Sequence, residues 1–100
     1  MISGSLCKAA RVLVEISRSR LAAKSGVDKR LLELFERGIS ELPNEDIAAL
    51  QSTLEEFGAT FIPENGADGA GVRLKFSRSV TERLGNLENE GGPTAKDDVP

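Results

Sequence analysis

The sequence predicts a mainly α fold, in which four to five short helices are closed by a small C-terminal β-hairpin. Three observations carry that expectation. Up to Gly58, apolar residues recur at the spacing of one helix face. Serines, acids and glycines stand at the ends of those windows, where helix caps belong. Beyond Gly58 the period drops to two: Val72, Leu74 and Phe76 alternate with Arg73 and Lys75, as in a half-buried strand.

Taken in order, Leu6, Ala9, Ala10 and Leu13 place a first helix over about residues 5–14, with Ser3 or Ser5 as its cap and Lys8 and Arg11 on its outer side. Cys7 falls in the same pattern and reads as a small buried hydrophobe rather than a reactive thiol. Ile16 is the apolar residue just before a cap at Ser17. Residues 17–38 organise the rest. Ser17 opens a second helix whose inward positions are Leu21 and Ala22, and Gly26 ends it in the left-handed conformation that glycine adopts without a Cβ penalty. Val27 turns into the core, Asp28 caps again, and a third helix runs over about residues 29–37 with Leu32 and Phe35 on one face and Gly38 at its end. Two short helices joined by a glycine turn make a helix-turn-helix.

Leu42 covers the core, Pro43 stops continuation and Asn44 caps a fourth helix, with Glu45 and Asp46 complementing its positive end. Ile47, Leu50, Leu54 and Phe57 form its stripe, and Gly58 closes it. Residues 59–63 and 71–76 are extended, with Phe61 offered across a glycine-rich link that also holds Asn65 and Asp68. The link is no phosphate cradle, because no Gly-Lys-Ser/Thr follows and no helix opens after it. A lone two-stranded hairpin is marginal, so it must pack on the fourth helix or pair with a second subunit. Residues 77–100 read as a tail, weakly helical around Val80, Leu84 and Leu87 and then disordered.

At Leu21-Ala22, Gly26-Val27, Leu32 and Phe35-Glu36-Arg37-Gly38 the sequence resembles the Cro/C1-type (XRE) helix-turn-helix family. The resemblance covers about residues 4–58, and the segment from Phe61 to Leu74 looks like an appendix of some short bacterial members. It implies a four- to five-helix Cro/C1-type helix-turn-helix domain over residues 1–58, with a hairpin extension at 59–76 packed on it. It also implies a homodimer that binds double-stranded DNA, and transcriptional repression as the usual role. In the family the first residues of the third helix, and one a turn later, face the major groove; here these are Asp28, Lys29, Arg30, Leu31 and Leu34. Arg18 stands where the family often has a glutamine that touches the DNA backbone, and Arg20 and Lys24 are further phosphate candidates.

Charge supports such a surface. Residues 1–38 hold eight Lys/Arg against four acids, a balance of +4, and residues 39–100 hold five against twelve, a balance of −7. A basic half on an acidic remainder would orient docking on phosphate, although an ordinary solvated mixture of charge gives the same count. Arg30 can donate twice to guanine O6 and N7, and Lys29 can reach the same edge or a phosphate. Leu31 and Leu34 depart from the polar residues usual at these positions. Three roles fit them: a widened core face, contact with thymine methyls, or a protein-binding patch. The last defines an alternative function, an antiactivator that keeps the fold but sequesters a transcription activator protein through Arg30, Leu31 and Leu34.

Composition narrows the classes further. There is no histidine and one cysteine, so a Cys/His zinc site, an intramolecular disulfide and a histidine-based triad are excluded. No catalysis, cofactor or metal is expected. The longest apolar run, Val12-Leu13-Val14, is far too short for a membrane span, and a cytoplasmic location is expected. A folded unit of this size buries only about 60% of the surface its unfolded chain exposes, so dimerisation would add stability.

Overall fold

The computed structural model describes residues 1–77. The tail expected beyond Ser77 lies outside the described residues. Four helices, α1 (Gly4–Leu13), α2 (Arg18–Ser25), α3 (Lys29–Glu36) and α4 (Asn44–Glu56), precede one antiparallel hairpin of β1 (Ala59–Ile62) and β2 (Gly71–Leu74).

Local chemistry sets most boundaries. Ser3 Oγ accepts from the Leu6 N–H, Ser17 Oγ from the Arg20 N–H, and Asp28 Oδ1 from the N–H groups of Arg30 and Leu31. Each satisfies amides that the first helical turn leaves without a partner. Gly26 ends α2 at φ 82°. The ends of α1 and α3 share one motif. At α3 the Ile39 N–H donates to the Leu34 carbonyl and the Gly38 N–H to that of Phe35, with Gly38 at φ 77°. At α1 the Ile16 N–H donates to the Arg11 carbonyl and the Glu15 N–H to that of Val12, but the left-handed position, at φ 62°, is held by Glu15. The expected side-chain cap at Asn44 is not formed: Pro43 holds the cap position, its carbonyl accepts from Asp46 and Ile47, and Asn44 is the first helical residue.

Leu21, Leu32, Leu50 and Leu54 are fully buried at the centre, with Val27 and Leu42 filling from the connecting turns. Phe57, expected at the end of the α4 stripe, is only partly buried. The apolar face of α1 differs from expectation. Cys7 and Ala10 are buried and Leu6 and Val14 pack against the core, whereas Ala9 and Leu13 are exposed and Arg11 turns inward. The cause is a close crossing of α1 over the end of α3: a Cβ on Gly4 would lie 1.8 Å from the Phe35 carbonyl oxygen. Gly4, Cys7 and Arg11, one turn apart along α1, therefore share the side that meets α3. The lead-in also contributes to the core, through the buried Ile2.

In the hairpin, Ala59 faces Leu74 and Phe61 faces Val72. These four share one face, and Phe61 and Val72 pack on the core. β1 lies against α4 and β2 against α1, so the hairpin closes the helical unit rather than standing apart from it. Both strands are shorter than expected, and Phe76 lies beyond β2 and is exposed. Paired backbone bonds join Asn65 and Asp68, with Gly66 at φ 63° in the first central position of the turn. No described helix is long and apolar enough to cross a membrane.

Candidate nucleic-acid interface

The helix α3 carries two faces of opposite character. On the inner side, with Leu32 and Phe35, Glu36 is buried with no side-chain exposure. Arg11 grips it with two bonds, Nε to Oε2 at 2.9 Å and Nη2 to Oε1 at 3.0 Å, and uses Nη1 on the Ile16 carbonyl at 3.3 Å. Arg18 Nε donates to Oε1 at 3.1 Å, and the Cys7 thiol lies 3.7 Å from Oε2. Among the described residues no buried side-chain polar atom lacks a hydrogen-bond partner. Burial, then the neighbouring Glu36 carboxylate, push the Cys7 thiol up to about 12, with Arg11 opposing. A thiol held neutral in this way is no nucleophile.

The outward face presents Lys29, Arg30 and Leu31, all exposed, with Leu31 at 44%. No ion pair is recorded for Lys29 or Arg30 among the described residues. Asp28, the acid beside them, spends Oδ1 on the amides of Arg30 and Leu31, so it serves as the helix cap. Leu34 is half-buried, and its carbonyl accepts from both Ile39 and Ser40, which sets Ile39, 59% exposed, beside it. Of the two leucines, Leu31 is thus the exposed one and Leu34 the half-buried one.

The phosphate candidates divide. Lys24 is exposed near the end of α2. Arg20 is exposed but lies over the Phe57 ring, its guanidinium carbon 5.3 Å from the centroid. Arg18 is partly committed inward to Glu36, with 29% of its side chain still exposed. Arg11, expected on the outer side of α1, has only 12% exposure and belongs to the Glu36 cluster. Sequence reasoning missed that cluster. Its available signal was the pairing of an arginine, one turn beyond Cys7, with the acid that follows Phe35. Ile39 was missed as well, because it stands after the helix pattern has ended.

No protein-family model and no curated protein matches the chain.

Proposed function

We propose that the protein is a transcriptional regulator with a Cro/C1-type helix-turn-helix, which lays α3 into the major groove of DNA. The observation that carries the reading is the side-by-side exposure of Lys29 and Arg30 on a helix whose remaining side is fixed to the core. Arg30 reads guanine, Lys29 reads a base edge or a phosphate, and Lys24, Arg20 and the outward donors of Arg18 hold the backbone. Asp28 orients the helix start and contributes no phosphate contact. A homodimer reading two half-sites about one helical turn apart completes the proposal.

Selection from a pool of random duplexes, repeated at two salt concentrations, tests it. A regulator enriches one sequence and retains preference for it at the higher salt. Enrichment of nothing sinks the reading.

The exposure of Leu31 and Ile39 favours a second reading, the antiactivator. There Leu31→Ala and Leu34→Ala abolish association with a transcription activator while thermal unfolding is retained. No DNA sequence is then selected.

A further inference from the structure

We propose that Asn65 is a deamidation site, at which the tip of the hairpin converts with age to an aspartyl or β-aspartyl linkage. The inference is independent of the DNA-binding reading above. In an Asn-Gly pair the main-chain nitrogen of the glycine can attack the asparagine side chain, because no Cβ shields that nitrogen and the glycine backbone turns freely. Asn65-Gly66 is the single Asn-Gly pair in the chain, since Asn44, Asn86 and Asn89 precede Glu45, Leu87 and Glu90. The fold leaves this pair open. Residues 62–70 are all exposed, and a Cβ built on Gly66 would meet nothing within 4 Å. Neither the Asn65 carboxamide nor the Gly66 N–H forms a hydrogen bond among the described residues, so neither reacting group is tied elsewhere.

What restrains the reaction is the backbone. The Asn65 N–H donates to the Asp68 carbonyl and the Asp68 N–H to that of Asn65, each at 3.0 Å, and this pairing holds Asn65 extended, with the next amide turned away from its own side chain. The bridge stands apart from the β1–β2 ladder, which ends at Ile62 and Gly71. Opening it therefore breaks two exposed bonds and leaves the core untouched, which is local unfolding of the least costly kind. In the opened turn the Gly66 nitrogen gives its proton to water and bonds to Asn65 Cγ. The Cγ–Nδ2 bond breaks, Nδ2 takes up a proton and leaves as ammonia, and a cyclic imide remains. Water adds to either carbonyl of the imide and opens it. The sum is an amide and water giving a carboxylic acid and ammonia, with nothing oxidised or reduced. Both products set a new carboxylate between Glu64 and Asp68. The β-aspartyl product also inserts a methylene into the main chain, so the paired bonds to Asp68 can no longer both form.

The test incubates the full chain at mildly alkaline pH, folded and in urea, and follows each asparagine by peptide mapping and mass spectrometry. Methylation by an isoaspartyl methyltransferase reports the β-linkage. Asn65 in the folded chain should convert several-fold faster than every other asparagine, more slowly than in urea, and with the β-linkage as the main product. The melting temperature should be retained, because the ladder and the core are not involved. Asn65→Gln should abolish the product, and Gly66→Ala should slow conversion in urea, where the left-handed turn plays no part. Earlier conversion at Asn44, Asn86 or Asn89 would overturn the inference. Conversion of Asn65 in urea but not in the folded chain would overturn it too, because the bridge would then close the site. A loss of cooperative melting in step with conversion would show that the tip does not open by itself, with the same consequence.

Discussion

On the inner side of α3, Glu36 collects three guanidinium N–H donors and a thiol in a place without solvent contact, while on its outer side Lys29 and Arg30 carry their charge into water beside an exposed leucine. The same eight-residue helix therefore buries charge where it meets its own chain and exposes apolar surface where it meets solvent. Burial of an ion pair contributes little to net stability against an apolar alternative, but it is costly to break, so it fixes geometry. An exposed apolar side chain contributes little to folding and stays open to contact. The inner face holds the helix at one angle, and the outer face is what that angle presents.

The largest effect should follow from Glu36→Leu. It leaves Arg11 and Arg18 facing each other without their shared counter-ion, and breaking a buried pair from one side costs about 3–5 kcal/mol. A domain of this size spends much of its stability on such a loss, and thermal unfolding followed by circular dichroism should show a fall of many degrees or no cooperative transition. Adding Arg11→Met and Arg18→Met to Glu36→Leu should recover much of it. A single variant that melts with the wild type would mean that the cluster does not hold α3.

Gly4→Ala should come next. Alanine within a helix ordinarily stabilises by up to about 1 kcal/mol. Here the added carbon meets backbone, at 1.8 Å from the Phe35 oxygen and 2.8 Å from its carbonyl carbon, so α1 must move off α3. Overpacking of this kind costs about 1–3 kcal/mol. Chemical denaturation that shows a gain in stability would place the crossing of α1 further from α3.

Arg30→Ala tests the other face. Affinity for a selected duplex should fall by about 1–3 kcal/mol and tolerance should widen at the guanine position. Unfolding should stay within about 0.5 kcal/mol, as befits an exposed position away from the core. Equal losses in binding and stability would show that the outer face also serves the fold, and the contrast between the faces would disappear.

How far each face can be read from sequence follows from the same contrast. Helix existence and ends were legible, because Ser17, Gly26, Asp28 and Gly38 act locally and their neighbours a few residues away suffice to define them. The apolar residues on the outer face were legible as a departure, since Leu31 and Leu34 interrupt a polar surface. The inner cluster was not. An arginine on an amphipathic helix reads as solvent-facing, and only the distant Glu36 and the missing side chain at Gly4 turn the Arg11 side of α1 inward. Tertiary partners decided the facing of Ala9, Leu13 and Arg11, and periodicity within a single segment carries no trace of them. At Asn44 the residue type suited a cap, but Pro43 holds that position and its carbonyl accepts from Asp46 and Ile47 without a side-chain bond.

Cys7 ties the inner face to pH. Its acidity is displaced from 9.0 to about 12, chiefly by burial and then by Glu36. A raised folded-state value means that the stabilisation is present in full below pH 9 and is lost as pH climbs toward 12, because the unfolded thiol ionises first. Stability of the wild type should therefore decline more steeply over that range than that of Cys7→Ala, whatever the packing cost of the alanine at neutral pH. Parallel declines in urea unfolding would show that the thiol gains access to water before the chain unfolds.

The smallest effect belongs to the turn that supports Arg11. α1 and α3 end in the same hydrogen-bonded motif, but the left-handed position is Gly38 after α3 and Glu15 after α1. A residue with a Cβ in that conformation carries about 1–2 kcal/mol of strain. Glycine would remove the strain and return part of the gain through its greater freedom in the unfolded chain, by about 0.4–1 kcal/mol. Glu15→Gly should then stabilise by roughly 0.5–1 kcal/mol, visible as a rise of a few degrees in the melting temperature. The turn also sets the Ile16 carbonyl under Arg11 Nη1, so a relaxed turn keeps the guanidinium aimed at Glu36. Glu15→Gly that destabilises would show that the Glu15 side chain, and not backbone geometry alone, holds the end of α1 and with it the inner face of α3.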